Sequence, residues 1–509
     1  MLRNKIVLAF IFSGVFALAQ NDQDALRYSR PGVGGTSRFL SMGGAFGAIG
    51  ADMSCASYNP AGLGVYRKGD ISFSGGLRFT DNRASIYNKT NSALDANFVF
   101  NNFGIVVAWK SAVDPESRHI LSFTNTQLQN FSNTVRMSGY TNSSSIAKDM
   151  LNLASKQPSI YSLNSSYENL GFNTFLLDTA DTGNDFFSSL DTKRSVKQTR
   201  DIVTSGRVND INFSYAYSYK DQFYFGASIG IPQINYASTT THTEADDKDS
   251  MRVAFTSPTS YTSTYIADLP YAYTDKLGFN NLTYTEYFKT SGSGFNLKLG
   301  GIARLSDAFR LGFYVHTPTF YRLTDDYYNS LSVAFDKTPG NPLSEKYPGD
   351  GGYYTYRLRT PSRFGLNGAY LIGKLAVIGL DYEMINYKNA QFSSSESISD
   401  FSGVNATITE KYSVAHNVRL GAELNVKPLM FRAGYIMQGS PFGEVFAGDF
   451  VRHTVSVGAG FRTKNNFYVD LVVYRTFTNE NYYLFTTLNT NSQINYNATM
   501  VAATAGFKF

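Results

Sequence analysis

The chain has 509 residues, of which 43% are hydrophobic, 15% aromatic and 17% charged. This aromatic content argues against a disordered chain, and a single cysteine, Cys55, excludes a scaffold held together by disulfides. Lysine and arginine (45) exceed aspartate and glutamate (40) by five, which gives no case for nucleic-acid binding at this length.

The first residues are typical of a secretory signal peptide. Basic residues precede an apolar run from Ile6 to Leu18, and Ala17-Leu18-Ala19 places alanines where a signal peptidase reads. We predict a signal peptide over 1–19, cut after Ala19. No later apolar stretch approaches the roughly 20 residues that a membrane-spanning helix requires.

The next segment, residues 20–69, shows no strand periodicity, and we call it the hatch. Its glycine-rich stretch from Ser41 to Asp52 does not match G-x-G-x-x-G, and no βαβ unit follows it, so we do not predict a phosphate-binding loop. A segment of this kind ahead of a large barrel can fill the lumen as a plug. We therefore predict that the hatch packs closely inside a barrel formed by residues 70–509.

From residue 70 onward the dominant pattern is alternation with period two, which places successive side chains on opposite faces of a strand. Ile71, Phe73, Leu77 and Phe79, for example, alternate with polar or small residues. The pattern predicts fourteen strands, near 70–79, 96–110, 118–136, 206–220, 221–237, 293–305, 307–320, 361–373, 374–388, 409–426, 428–438, 452–463, 465–478 and 493–509.

The lengths of the connections separate a membrane barrel from a soluble sandwich. Every second connection is a tight turn, around Asp114-Pro115, Lys220-Asp221, Ser306-Asp307, Gly373-Lys374, Lys427-Pro428 and Lys464-Asn465. The others are long and polar, covering roughly 80–95, 137–205, 238–292, 321–360, 389–408, 439–451 and 479–492. Short turns at one end and long loops at the other, with an even number of strands, are typical of an outer-membrane β-barrel. The predicted fold is therefore all-β: a membrane-spanning antiparallel barrel of about 14 strands with both mature termini at the short-turn, periplasmic end.

The end of the chain supports this prediction. Gly506-Phe507-Lys508-Phe509 closes the last strand with alternate aromatic residues and a terminal phenylalanine. This ending resembles the signal that outer-membrane assembly machinery reads, so the machinery and the surrounding lipid are predicted partners.

Alternation also predicts which charged side chains face the lumen. The basic ones are Lys298, Arg304, Arg310, Arg363, Arg419, Arg432 and Arg462, and the acidic ones are Asp381, Glu383, Glu423 and Asp470. One interpretation is a set of ion pairs that holds the hatch and the strands, because buried charges need partners. The other is that one or two basic residues bind a carboxylate head group while Phe and Tyr line its tail. The candidates for such a site are Lys298, Arg310, Arg363 and Arg432.

The sequence shows no pattern of residues typical of a catalytic site. The five histidines, His119, His242, His316, His416 and His453, are scattered without metal-ligand spacing, so we predict no metal, no cofactor and no enzyme. Cys55 in the hatch is interpreted as a small buried residue rather than a reactive thiol.

Several motifs resemble the FadL/TodX family of outer-membrane channels for hydrophobic compounds. The hatch residues that carry the resemblance are Gly43, Gly44, Asn59, Pro60, Ala61 and Gly62, of which Asn59-Pro60-Ala61 matches the family's hatch motif residue by residue. Further matches are Lys298-Leu299-Gly300-Gly301, Arg310-Leu311-Gly312, His316-Thr317-Pro318, Thr360-Pro361-Ser362-Arg363-Phe364, Asp381-Tyr382, Arg432-Ala433-Gly434-Tyr435 and Ser440-Pro441-Phe442. The long segment 137–205 does not map onto the family.

The resemblance implies a monomeric fourteen-stranded channel in the outer membrane of a Gram-negative bacterium. It further implies that a hydrophobic molecule, such as a long-chain fatty acid, is captured by the outer loops, enters an interior site and leaves sideways when the hatch shifts. Two alternatives stay open at this point: a general water-filled porin, and an outer-membrane enzyme or adhesin. The hatch disfavours the porin, and the scattered histidines disfavour the enzyme.

Overall fold

The computed structural model describes residues 21–30, 32–179, 185–190, 194–248, 279–335, 342–394, 400–443 and 450–509. The predicted signal peptide lies outside these residues. Among them, eighteen strands form one antiparallel sheet and two short strands pair separately. In chain order the strands are β1 (Asp70–Ile86), β2 (Lys89–Lys110), β3 (Arg118–Asn130), β4 (Asn133–Thr141), β5 (Leu177–Thr179), β6 (Phe186–Ser188), β7 (Val196–Tyr219), β8 (Phe223–Ala245), β9 (Phe279–Arg304), β10 (Phe309–His316), β11 (Phe320–Phe335), β12 (Leu343–Arg359), β13 (Arg363–Ile372), β14 (Ala376–Asn386), β15 (Gln391–Ser394), β16 (Val414–Val426), β17 (Leu429–Gln438), β18 (Arg452–Arg462), β19 (Phe467–Tyr483) and β20 (Asn491–Lys508).

The large sheet closes into a barrel because β1 pairs with β2 on one side and with β20 on the other. We call each full-length position in the barrel wall a stave. Ten staves are single strands, and four consist of two strand segments in line: β3 with β4, β10 with β11, β12 with β13, and β14 with β15. For example, β3 and β4 both pair with β7, and β10 and β11 both pair with β9. Counted as staves, the described residues form a fourteen-stranded barrel, which confirms the predicted architecture.

Helices are short and lie mainly in the hatch and in the long connections. The α-helices are α1 (Asp22–Ser29), α2 (Ser37–Ser41), α3 (Ile146–Ala154), α4 (Glu168–Asn173) and α5 (Ser402–Lys411). The 3-10 helices are Met53–Ser57, Pro60–Val65, Ile160–Ser162 and Tyr387–Asn389. None of the helices in the described ranges has the length and apolarity to cross a membrane.

The alternation seen in the sequence sorts the side chains between the two surfaces of the barrel. On β1, Phe73 and Leu77 point outward and are about half exposed, whereas Ser72 and Ser74 are buried in the interior. The same apolar exterior continues around the wall, as at Phe313 and Leu471. An apolar outer band over a polar interior is the pattern that a barrel needs in lipid, where closure also satisfies the backbone groups.

All six predicted tight turns join consecutive strands. Lys220 and Asp221, for instance, have φ angles of 51° and 52°, the left-handed pair required by a two-residue hairpin turn that matches the twist of its strands. The end of the barrel that carries these turns is called the short-turn end, and the opposite end is called the long-loop end.

Several strands are longer than the sequence predicts. β7 begins at Val196 instead of near 206, and β8 continues to Ala245 instead of ending near 237. The two remain paired in this region, where Val203 faces Thr239. The sequence hides the extension because Thr239–Thr243 shows no hydrophobic alternation, as expected where neither face of a strand contacts lipid.

The long connection 137–205, which the resemblance leaves unexplained, contains a folded unit that we call the cap: α3, α4, β5 and β6. Its apolar side chains, among them Ile146 and Met150, pack with Leu282 and Leu331 of the extended wall. Asp149 fixes a second loop to the cap by accepting a 2.6 Å hydrogen bond from the backbone N–H of Thr487. A small core of its own therefore covers part of the long-loop end.

The hatch enters the barrel from an unexpected side. Asp22 accepts hydrogen bonds from Lys411 Nζ (2.6 Å) and Tyr412 Oη (2.8 Å), which lie just before β16 at the long-loop end. Phe509, by contrast, donates its backbone N–H to the carbonyl of Gly69 at the short-turn end. The expectation that both ends lie at the short-turn end is therefore wrong for the start of the hatch, because buried partners of Asp22 hold it at the opposite end.

The topology predicts which sites are accessible on intact cells. A cysteine introduced at Ser165, in the long connection between β4 and β7, should react with a membrane-impermeant maleimide. A cysteine at Lys374, in the tight turn between β13 and β14, should react only after the cells are opened. Both positions should react in detergent, which serves as the control. Labelling of Lys374 alone on intact cells would reverse the orientation.

Candidate functional site

The hatch lies inside the barrel, since it is hydrogen-bonded to strands on all sides of the wall. These bonds are Ser37 N–H to Thr504 Oγ1 (2.7 Å), Gly47 N–H to Asp381 Oδ2 (3.0 Å), Asn212 Nδ2 to Ser57 Oγ (2.9 Å) and His316 Nε2 with the Tyr58 carbonyl (2.6 Å). Apolar hatch residues such as Phe46 and Met53 pack against wall residues such as Val106 and Val472. Both hydrogen bonds and apolar packing therefore hold the hatch against the wall.

Gly43 and Gly44 allow the hatch to make a tight turn against the wall. Their φ angles are +59° and +72°, a left-handed conformation that side chains other than glycine rarely adopt. On the facing strands, a side chain at Gly434 would overlap the backbone N of Gly43, and one at Gly421 would overlap the Met42 carbonyl oxygen. Glycines on both surfaces therefore permit backbone-to-backbone approach.

Asn59, Pro60 and Ala61 form the start of a 3-10 helix on the far side of the hatch. Asn59 is fully buried, and its Oδ1 accepts the N–H of Ala61 at 3.1 Å while its Nδ2 donates to the Gly47 carbonyl at 2.7 Å. Asn59 thereby caps the helix and joins the two glycine-rich stretches. Gly62 continues this link, because its carbonyl accepts the N–H of Ala51.

Arg432 lies in a chain of charges that connects the hatch to the wall. Its Nε contacts Glu423 Oε2 and its Nη1 contacts Asp470 Oδ1, both at 2.6 Å. Glu423 also receives Arg38 of the hatch through two hydrogen bonds, at 3.0 and 3.2 Å. Arg432 is fully buried and is occupied by two carboxylates, as the ion-pair interpretation expects.

Lys298 and Arg310 are also engaged. Lys298 Nζ is 3.0 Å from Asp210 Oδ2 and 2.6 Å from Asn212 Oδ1, and all three side chains are buried. Arg310 donates from Nη1 to the carbonyl of Ile49 in the hatch at 2.9 Å. Both residues thus stabilise the plugged barrel.

Arg419 and Arg304, two further basic residues predicted to face the lumen, each pair with a carboxylate. Arg419 Nη2 is 3.0 Å from Glu383 Oε1, and both side chains are 2% exposed. Arg304 pairs with Asp307 in the adjacent tight turn and therefore does not act in the lumen.

Arg363 differs from the other three candidates. Among the described residues its side chain makes neither an ion pair nor a hydrogen bond, whereas Arg310 lacks an ion pair but is bonded to the Ile49 carbonyl. Its backbone pairs with His316 in the lumen wall. The guanidinium groups of Arg363, Arg30 and Arg452 act electrostatically on the buried hydroxyl of Tyr387, and so does the carboxylate of Glu383. We call Tyr387, Arg30, Arg363 and Arg452 the tyrosine–arginine cluster.

The cluster lies at the end of α1, where the hatch approaches the wall. Arg30 directly follows α1 and donates from Nη2 to the carbonyl of Phe450 at 3.1 Å. Arg452 is close to Arg30, with Glu480 as a nearby acid. The sequence did not reveal Arg30 or Arg452 as candidates, because Arg30 belongs to the non-periodic hatch and Arg452 lies at the edge of its strand, where alternation begins.

The wall is interrupted between β2 and β4. β2 pairs with β3 from Lys110 up to Asn102, which faces Thr126, but its remaining residues 89–101 pair only with β1. β4 in turn pairs only with β7. Over these described residues the two neighbouring staves have no backbone ladder, and we call the opening the wall gap. Side-chain bonds bridge it from Asn91 Nδ2 to the Ser138 carbonyl near the long-loop end, and from Asn82 Nδ2 of β1 to the Thr134 carbonyl (2.8 Å) and Arg78 Nη1 of β1 to the Ser132 carbonyl further down.

A hatch segment runs directly behind the wall gap. A side chain at Gly32 would overlap the Leu128 carbonyl oxygen, and one at Gly34 would overlap that of Gln127, where β3 bulges. Outside the gap, Leu94 and Phe98 on the free edge of β2 are 79% and 69% exposed. The gap thus has an apolar outer margin and a glycine-containing segment as its inner cover.

The described histidines outside the hatch are engaged with local partners. His242 pairs with Glu244 at 3.0 Å in a fully buried site, and His119, His416 and His453 each bond to a tyrosine hydroxyl on the outer surface. No cluster of three or more potential metal ligands occurs among the residues that the structure describes. Cys55 is buried against Gly62, as expected for a packing residue.

Comparisons with known proteins rest on structure, since no family model and no curated protein sequence matches the chain. A FadL homologue from Pseudomonas aeruginosa superposes with a TM-score of 0.52 at 13% identity, covering 94% of this chain and 99% of that one. The toluene transporters TbuX of Ralstonia pickettii and TodX of Pseudomonas putida are 14% and 12% identical, each with a TM-score of 0.49, and the alignments cover 94% of this chain and 98% of each of theirs. Together with the closed barrel and its internal hatch, the first of these matches shows that the chain has the fold of the FadL-type channels.

Proposed function

We propose that the protein is an outer-membrane channel of a Gram-negative bacterium for passive uptake of hydrophobic small molecules. The observation that carries the proposal is the wall gap with the hatch behind it. An apolar solute gains nothing by crossing a wet lumen into water, whereas a lateral opening delivers it into lipid. The exposed Leu94 and Phe98 provide an apolar margin for that step.

The tyrosine–arginine cluster supports a proposal for the cargo class. A long-chain fatty acid or similar amphipathic acid must exchange a hydrated carboxylate for protein donors, and a half-buried guanidinium such as that of Arg363 makes this exchange tolerable. Lys298, Arg310 and Arg432, the other predicted carboxylate ligands, already have partners, so the proposal assigns head-group binding to Arg363. Aromatic residues such as Tyr321, within electrostatic range of Arg363, would line the tail.

The same observations weigh against the alternatives. A general porin needs an open lumen, whereas the hatch is fixed to the wall by hydrogen bonds to at least four strands. No specific contact in the described residues favours an enzyme or an adhesin. We further propose that the channel acts as a monomer and that the aromatic ending at Phe507 and Phe509 is read by the assembly machinery.

A reversible cross-link tests the proposed exit. Ser37 N–H lies 2.7 Å from Thr504 Oγ1 of β20, and Ser37 is three residues beyond Gly34 in the segment that covers the gap. In cells carrying the double variant S37C/T504C, oxidation should join hatch to wall and reduce uptake of a hydrophobic substrate such as oleate to the level of cells without the channel. A reductant should restore it.

The two single-cysteine variants are the matched controls and should transport normally under both conditions. Full uptake by protein that is shown to be cross-linked would contradict exit controlled by movement of the hatch.

A further inference from the structure

Three arginines form an exposed patch on the outer surface of the barrel, at the long-loop side of the apolar band. Arg322 lies on β11, and Arg357 and Arg359 lie on β12. All three are exposed and face away from the lumen, whereas their sequence neighbours Tyr321, Leu323 and Leu358 are buried. We call these three residues the arginine patch.

The strand register brings the three positive charges together. Arg322 and Arg357 are directly opposed across the β11–β12 pair, and Arg359 faces Phe320 two residues along the strands on the same surface. Like charges directly opposite each other across a sheet destabilise the pairing. An anion bound between the two guanidinium groups would remove this repulsion.

No compensating acid is supplied by the described part of the chain. The nearest outward-facing carboxylate on β11 is Asp326, four residues beyond Arg322 and opposite Lys289. The in-register neighbours of the patch on the adjacent strands are Ser293, Ser393 and Gln391, which are neutral. The arginine patch has no recorded ion pair in the described residues.

Two other outward-facing arginines near the same end are neutralised within the chain. Arg83 pairs with Asp81 at 3.2 Å, and Arg136 pairs with Asp201 through two bonds of 2.7 and 2.8 Å. Exposed Arg207 and Arg475 have no ion pair among the described residues either, but each faces only neutral residues on the neighbouring strands. The arginine patch instead holds three positive charges on one strand pair, and this density of charge favours an anionic partner from outside the chain.

The position of the patch next to the apolar band indicates what kind of molecule carries the anionic group. Phe320, which faces Arg359, is 58% exposed, and Phe313 and Val315 continue the apolar band toward the short-turn end. A molecule that contacts both surfaces must have an anionic head next to an apolar tail. Guanidinium groups match phosphate oxygens with paired hydrogen bonds, and neutral donors such as Ser293 and Gln391 flank the site.

We propose that the arginine patch binds the phosphorylated head group of a lipid in the outer leaflet, with the acyl chains along Phe320 and Phe313. This inference rests on the proposed outer-membrane location but not on the transport activity. The lipid bridges Arg322, Arg357 and Arg359 and removes the repulsion between them. The interaction fixes the rotational position of this side of the barrel in the membrane.

Lipid retention by the purified full-length protein tests the proposal. The protein in dodecyl maltoside is incubated with diphosphoryl lipid A, separated by size exclusion, and assayed for bound lipid by mass spectrometry. The triple variant R322Q/R357Q/R359Q should retain about ten-fold less lipid than the unmodified protein, because charge-assisted hydrogen bonds to phosphate are lost. The matched control R83Q/R136Q/K197Q removes three positive charges elsewhere on the outer surface and should retain lipid normally.

Two outcomes would overturn the proposal: equal retention by the patch and control variants, or equal retention of lipid A and its dephosphorylated form by the unmodified protein. Heat-modifiable migration verifies that each variant has formed its barrel. Cell fractionation tests the outer-membrane location separately, and oleate uptake by the patch variant tests the channel separately, so a failure of either is distinguishable from a failure of lipid binding.

Discussion

Deletion of residues 41–63 should leave a barrel that inserts into membranes but conducts small ions and polar solutes. The deleted segment supplies the backbone and side-chain groups that meet the wall at Asp381, Asn212 and His316. The ladder between the strands does not pass through the hatch, so closure of the barrel persists without it. Conductance in a planar bilayer measures the effect, and equal conductance of the deleted and intact proteins would show that the hatch is not the plug.

A point substitution tests the same idea without shortening the chain. Valine at Gly434 would overlap the backbone of Gly43 and Met42, so G434V should displace the hatch and raise conductance. G368V is the matched control, because a side chain at Gly368 would have nothing within 4 Å. Heat-modifiable migration on a gel checks that both barrels are formed. A rise in conductance for both variants would indicate general damage to the wall instead of release of the hatch.

Replacement of Arg363 by Met should weaken uptake of a long-chain fatty acid while leaving uptake of an uncharged hydrocarbon largely intact. Methionine keeps an apolar stem but removes the donors that the carboxylate needs. Hydrogen bonds to charged groups contribute about 1.5–3 kcal/mol, so binding of the acid should fall roughly 10- to 100-fold. Competitive uptake of oleate and a long-chain alkane by the same cells measures the difference.

Arg432→Met provides the contrast, because Arg432 is occupied by Glu423 and Asp470. Removing one partner of a buried ion pair costs about 3–5 kcal/mol, so R432M should lower the temperature at which the barrel unfolds on a gel and impair both substrates together. If R363M transports the acid normally in a folded barrel, carboxylate recognition by Arg363 is wrong and the channel selects by apolar shape.

The sequence alone determined the architecture of the wall. Phe73 and Leu77 alternate with Ser72 and Ser74 because one face of each strand meets lipid and the other meets the interior, and this constraint repeats in every strand. The same constraint located all six tight turns. It did not locate the ends of β7 and β8, since beyond the lipid band the alternation of apolar residues is no longer required.

The hatch residues from Gly43 to Gly62 were singled out by their resemblance to a family motif, and the turn and capping requirements that they meet are local. Asn59 caps its own helix two residues away, and Gly43 adopts a conformation that favours glycine irrespective of its distant contacts. The sequence did not predict which charged residues pair with each other. Lys298 finds Asp210 across 88 residues, and Arg432 finds Asp470 across 38, so only the folded barrel distinguishes these residues from Arg363.

Three features were decided only by the tertiary structure. The start of the hatch lies at the long-loop end because Asp22 finds Lys411 and Tyr412 there. The wall gap exists because β2 and β4 pair with β1 and β7 but not with each other, and a period-two pattern records which face of a strand is apolar, not which strand is its neighbour. The arginine patch arises from the register that places Arg322 opposite Arg357, and register between distant strands is fixed by the packing of the whole barrel.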